Sequence, residues 1–152
     1  MGTKRTLDNT RNSVWRLFIT AHARVIDRIE TNLAEAGLPS LEWYDVLLTL
    51  KEAPEHRLRL SELADKVLLS RSNLTRLVDR LEKAGLLHRQ PCPTDRRGTF
   101  AVLTPKGLAT QKQMWPVYAE GIVDYFANHV SDSEVSVLRQ ILERMLTAAE
   151  ST

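Results

Sequence analysis

The fold turns on the stretch Ser61-Glu62-Leu63-Ala64-Asp65-Lys66-Val67-Leu68-Leu69-Ser70-Arg71-Ser72-Asn73-Leu74-Thr75-Arg76-Leu77-Val78-Asp79-Arg80-Leu81-Glu82-Lys83-Ala84-Gly85. Ser61 is placed to cap a short helix, Glu62 to Val67, with Leu63, Ala64 and Val67 facing inward. After a three-residue connection, Ser70 is placed to cap a second helix that runs to Ala84 and stops at Gly85, a residue that tolerates the left-handed backbone ending many helices. On a helical wheel Leu74, Leu77, Val78 and Leu81 gather on one side. Ser72, Thr75, Arg76 and Asp79 lie opposite, flanked by Asn73 and Arg80. Two short helices joined by a tight turn, the second with one packing face and one polar face, form the skeleton of a helix-turn-helix.

Working outward from Gly85, Leu86 to Gln90 and Thr99 to Leu103 flank the Pro/Asp/Gly-rich segment Pro91 to Gly98, which predicts a two-stranded hairpin with a basic tip, a wing. Thr104-Pro105 is a cap followed by a proline at the first helical position. The helix it opens should reach about His129, with a kink at Pro116. Ser131-Asp132-Ser133-Glu134 is a capping box for a last helix, in which Val135, Leu138, Leu142, Met145 and Ala149 form a stripe with Ile141 and Leu146 alongside. On the N-terminal side, two apolar stripes between Leu7 and Ala36 predict a long helix buried on more than one side. Gly37 and Pro39 stop it, Ser40 is placed to cap the next helix, which carries Trp43, Val46, Leu47 and Leu50, and Pro54 ends that one. The expected architecture is mainly α with a small β-hairpin: one domain over residues 1–152, with a winged helix-turn-helix lobe at 40–103 flanked by helices at 7–36 and 105–150. Those flanking helices carry more apolar surface than one winged domain can cover, so a homodimer is expected.

Composition narrows the function classes. With 43% hydrophobic and 26% charged residues, the chain is an ordinary globular sequence able to bury a core. It has no apolar run of membrane-spanning length, and its polar start, Met1 to Asn12, does not resemble a secretory signal, so a cytoplasmic location without membrane attachment is expected. Cys92 is the lone cysteine, so no internal disulfide or paired-cysteine zinc site is available, and the four histidines show no ligand spacing. No nucleophile elbow, phosphate loop, dinucleotide fingerprint or metalloprotease motif is present, so neither an enzyme nor a cofactor is expected. The net charge of +2 hides an asymmetry: Arg57 to Lys106 holds eleven Lys or Arg against five Asp or Glu, a local +6, leaving −4 elsewhere. Such a patch suits a polyanion bound with counterion release.

The helix after Ser70 has the chemistry for double-stranded DNA. Arg bonds guanine O6 and N7 bidentately, Asn does the same for adenine, and Ser or Thr hydroxyls suit phosphates or base edges. The candidate DNA-binding residues are Ser61, Ser70, Arg71, Ser72, Asn73, Thr75, Arg76 and Arg80, with Asp95, Arg96 and Arg97 at the wing tip, where arginines suit a narrow minor groove. Asp79, an anion on this face, is expected to orient Arg76 or Arg80, accepting from a cytosine amino group being the alternative. Asp95 is expected to bond turn amides or pair with Arg97. The competing readings are an ordinary solvated amphipathic helix and a winged helix used only for protein association, which calls for an apolar second helix face instead.

Leu60-Ser61-Glu62-Leu63-Ala64, the run Leu74 to Leu86, and Asp95-Arg96-Arg97 followed by Leu103-Thr104-Pro105-Lys106-Gly107 closely resemble the MarR (multiple antibiotic resistance regulator) family of bacterial winged-helix repressors. The resemblance implies a homodimer built by the terminal helices, pseudo-palindromic operators, and release of DNA by a small aromatic or phenolic effector. Trp15, Arg16, Phe18 and His22 with Trp43 and Tyr44 are the candidate effector residues, although aromatics at helical spacing are more often core. Cys92, near Arg89, Arg96 and Arg97, is expected to be an exposed thiol without a role, oxidant sensing being the alternative.

Overall fold

The computed structural model describes residues 6–95 and 97–151. Along the chain run helix α1 (Asn9–Glu35), α2 (Leu41–Glu52), strand β1 (Arg57–Arg59), α3 (Leu60–Lys66), α4 (Leu74–Lys83), β2 (Leu87–Pro91), β3 (Thr99–Leu103), α5 (Pro105–Tyr125) and α6 (Asp132–Glu150), with 3-10 turns at Pro54–His56, Arg71–Asn73 and Ala127–His129. Two compact units emerge: residues 29–119, and residues 1–28 together with 120–152.

In the 29–119 unit, Val46, Leu47 and Leu50 of α2 meet Leu63, Val67, Val78, Leu81, Leu87, Ala101 and Leu103 in one apolar core. The inward face of α4 is the expected one, with Leu77, Val78 and Leu81 at most 1% exposed. The hairpin is joined by an unanticipated strand. The antiparallel sheet has the order β1-β3-β2, with Leu58 opposite Ala101 and Arg89 also opposite Ala101 from the other side. β1 is only Arg-Leu-Arg, too short for an alternating pattern, and it follows a reversal in which Glu55 and His56 take positive φ.

Three serines expected to cap helices do not do so. At Ser40 the side chain makes no cap bond, and the Glu30 carboxylate accepts from Leu41 N instead. Ser61 lies inside α3, which begins at Leu60, and Glu62 Oε1 accepts from Arg59 N at 3.1 Å. Ser70 is fully buried. Its hydroxyl donates to Asp45 at 2.9 Å, and the Asp45 carboxylate also accepts the backbone N–H of Leu68, Leu69 and Ser70 at 2.9, 2.6 and 3.1 Å. The second helix consequently opens as the 3-10 turn Arg71–Asn73 before α4 proper.

The other end of α4 follows the sequence reading. Gly85, at φ 77°, lets its N–H reach Glu82 O and the Leu86 N–H reach Leu81 O. Thr104 Oγ1 accepts from Gly107 N and donates to Gly85 O, and Lys106 Nζ donates to Ala84 O. Gly107 is required by proximity, since a Cβ there would lie 2.0 Å from Leu86 O.

In the other unit the expected burial of α1 on more than one side is not found within the chain. Residues 9–24 are all exposed, and the only buried residues of α1, Ile29 and Leu33, belong to the 29–119 unit. α6 opens with the expected capping box, Ser131 Oγ accepting from Glu134 N and Glu134 Oε1 from Ser131 N, but buries no residue. α5 passes through Pro116 as one helix and ends at Tyr125, short of His129, with the Arg28 guanidinium 5.6 Å from the Tyr125 ring centroid. Among the described residues, no helix is long and apolar enough to cross a membrane.

Asp45→Ala should lower the unfolding free energy by about 2–4 kcal/mol, because three backbone amides and a hydroxyl lose a charged acceptor together. Urea denaturation checks this, and an unchanged midpoint would show that water substitutes for the carboxylate.

Candidate nucleic-acid interface

The segment from Ser70 onward was expected to point its polar groups outward, and most do. Arg71, Ser72, Thr75, Arg76 and Arg80 are exposed, Asn73 is half-buried, and Ser61 is exposed on α3. Ser61, Arg71, Ser72, Asn73, Thr75 and Arg76 line one open cleft of about 710 Å³, whose floor includes Leu60, Ala64, Leu74 and Val78. Arg80 lies one turn further along α4, outside that lining. Ser70 is the exception: buried and bonded to Asp45, it is unavailable for DNA contact. Arg71 lies 3.9 Å from Asp65, an exposed and weak pair, and among the described residues no carboxylate pairs with Arg76 or Arg80. The two central guanidiniums therefore stand free on the outer face.

Asp79 does not orient Arg76 or Arg80. It pairs instead with Arg89 Nη2 on β2, a residue ten positions later in the chain. Arg89 also donates Nη1 to Glu82 Oε1 and its backbone N–H to Glu82 Oε2, both at 2.7 Å. The Arg89 backbone amide, and then its guanidinium, hold the Glu82 carboxyl below its ordinary pKa. Arg89 lines the same cleft as Arg76. Sequence reading missed it as a functional residue because Glu82 and Arg89 sit on different elements across the Gly85 turn, a relation with no periodic signature.

At the wing tip, Asp95 Oδ1 accepts the Arg97 backbone N–H at 3.0 Å, and Asp95 O accepts Gly98 N, so the carboxylate shapes the turn in the first of the two expected ways. No ion pair joins Asp95 to Arg97 among the described residues, and Arg96 lies outside them. Cys92, expected to be exposed, is 6% exposed at the wing root, where its N–H donates to Gly98 O. The Thr94 hydroxyl, 3.4 Å from Sγ, draws the thiol pKa downward.

The candidate effector residues fall in different units. Trp15, Arg16, Phe18 and His22 are exposed on α1, with the Trp15 and Phe18 rings 6.0 Å apart. Trp43 is half-buried against the core. Tyr44 is buried beside two aromatics absent from the expectation, Trp115 at 6.3 Å and Tyr118 at 5.0 Å between centroids. Its hydroxyl accepts from Gln111 Nε2, and burial pushes the phenol pKa up. Gln111 Oε1 is buried with no hydrogen-bond partner among the described residues. No cluster of His, Cys, Asp or Glu fit to hold a metal occurs among the described residues.

Comparison with known proteins agrees with this geometry. The MarR family model matches residues 40–99. The HTH-type transcriptional regulator MhqR of Bacillus subtilis (strain 168) is 32% identical over 133 residues, spanning 86% of this chain and 89% of that protein. AbsC, a MarR family transcriptional regulator from Streptomyces coelicolor, superposes with a TM-score of 0.87 at 29% identity, covering 98% of this chain and 100% of that one. Sco3205 from the same organism, also a MarR family transcriptional regulator and solved in complex with DNA, gives a TM-score of 0.88 at 29% identity over 97% of this chain and 92% of that one.

Proposed function

This chain belongs to the MarR family, and from that premise we propose that it is a cytoplasmic transcriptional repressor that binds a pseudo-palindromic operator in double-stranded DNA as a homodimer. The observation that carries the reading is the outer face of Arg71 to Arg80, where Ser72, Thr75, Arg76 and Arg80 are exposed and neither Arg76 nor Arg80 has a carboxylate partner among the described residues. A protein-association module would present apolar groups there. Arg76 near the start of α4 reads a base edge in the major groove, where the N-terminal half of a recognition helix penetrates deepest. Arg97, with Arg96 beside it in sequence, enters the adjacent minor groove.

Two further elements belong to the same reading. Val14, Leu17 and Phe18 on α1 and Val135, Val137, Ile141, Met145 and Leu146 on α6 are all more than a third exposed, an apolar load that a second copy of the chain would cover. The orphaned Gln111 Oε1, set among Tyr44, Trp115 and Tyr118, supports a small phenolic or aromatic effector with a hydrogen-bond donor.

Selection of bound duplexes from a random pool should enrich a palindrome. On that operator Arg76→Ala should lose about 1–3 kcal/mol and relax one base-pair position per half-site, whereas Arg97→Ala should flatten the salt slope by about 0.9 per phosphate released. Equal losses by Arg76→Ala on operator and random DNA would reassign it to the backbone. Sedimentation at micromolar concentration should give the dimer mass, and a monomer would count strongly against the covered terminal helices. Titration with a panel of phenols and hydroxybenzoates should release the operator, and Gln111→Leu should blunt that release; a panel without effect on either protein sinks the effector reading.

A further inference from the structure

We propose that Arg89 is a positioning residue that locks the root of the wing to the recognition helix, so that major-groove and minor-groove contacts engage as one rigid body. The inference rests on the DNA-binding reading above and goes beyond its list of contacting residues. Arg89 directs three donors at α4: Nη2 to Asp79, Nη1 to Glu82 Oε1 and the backbone N–H to Glu82 Oε2. Asp79 and Glu82 are three residues apart, hence stacked on one stripe of the helix, and a forked guanidinium spans two such carboxylates where an ammonium would not. Two residues beyond Arg89, β2 ends at Pro91 and the wing loop begins. The bridge therefore sits at the last point where the wing can be held against α4.

Stability does not account for it. Arg89, Asp79 and Glu82 side chains are 32%, 52% and 37% exposed, a regime in which ion pairs add little to folding. The cluster also carries two anions for one cation, and Asp79 lies one turn from Arg76 on the face presented to a polyanion. An unfavourable charge kept at that place makes sense if the geometry it enforces outweighs the repulsion. The two explanations predict opposite signs for Asp79→Asn. By electrostatics alone, Asp79→Asn strengthens DNA binding and Arg89→Met weakens it. By positioning, both weaken operator binding, neither changes the salt slope, and the double variant loses no more than the worse single one.

The test is fluorescence anisotropy of the full chain on its selected operator and on a random duplex across a range of salt, with melting curves as the folding control. Arg89→Met, Asp79→Asn and Arg89→Lys should each lower the ratio of operator to random-duplex affinity about tenfold while leaving the salt slope unchanged. The lysine variant separates geometry from charge. As a second measurement that does not depend on absolute affinity, the coupling between Arg76→Ala and Arg97→Ala should be strong in the wild-type background and vanish in Arg89→Met. Tighter binding by Asp79→Asn, a flatter salt slope for Arg89→Met, or an unaltered coupling would overturn the proposal. A wild-type chain that binds operator and random duplex equally would instead overturn the DNA-binding reading and this inference with it.

Discussion

The Asp45 carboxylate is the constraint on which the functional half of the molecule depends. It is 9% exposed, and no cation pairs with it among the described residues, so its charge is compensated by the dipoles of the three amides at Leu68, Leu69 and Ser70 and by the Ser70 hydroxyl. Converging N–H groups hold an anion in the same way at a helix N-terminus. The turn between α3 and α4 thereby has one conformation. Its consequence is visible at Leu68 and Leu69, whose side chains are turned outward, Leu68 to 86% exposure. Leaving a leucine in water forfeits about 1.5–3 kcal/mol of burial. Each hydrogen bond to a charged group contributes about 1.5–3 kcal/mol, so four of them outweigh two exposed leucines.

The far end of α4 is secured by different chemistry. The left-handed Gly85, the Lys106 ammonium on Ala84 O and the Thr104 hydroxyl on Gly85 O tie it to the start of α5, and Arg89 ties its flank to the wing. With Leu77, Val78 and Leu81 in the core, the helix is held at both ends and along one side. Only the face bearing Ser72, Thr75, Arg76 and Arg80 is left open. Rigid attachment matters because a long side chain such as Arg76 loses up to about 2 kcal/mol of rotamer entropy on docking, a loss that adds to any ordering of the backbone beneath it.

What was legible in the sequence was local. The α4 wheel, the Gly85 stop, the Thr104 cap, the Ser131 capping box and the hairpin strands each depend on residues within a few positions of one another, and each appears where its pattern placed it. What was not legible was decided by partners far along the chain. Ser40 and Ser70 have the right residue type for caps, but Glu30 is eleven residues from Leu41 and Asp45 is 25 from Ser70, so no local rule reveals those partners. β1 exists because β3 offers a free edge, its own three residues carrying no strand signal. The partner of Asp79 comes from β2, ten residues further along the chain. The buried Tyr44 hydroxyl finds its donor in Gln111, 67 residues away.

Charge is spread unevenly along the chain. The segment from Arg57 to Lys106 carries +6, and the rest of the chain carries −4. The terminal segments that would meet in the proposed dimer carry no net charge, residues 1–28 and 120–152 together holding eight Lys or Arg against eight Asp or Glu, so the driving force for association must be burial of Val135, Ile141, Met145 and their counterparts on α1. That division has a functional benefit. The net-neutral terminal segments give DNA no comparable attraction, while the basic centre attracts it, so a duplex drawn in by charge meets the exposed face of α4 first. Specificity then falls to a few donors on that face, and their separation from the wing is set by the bonds that hold α4 in place.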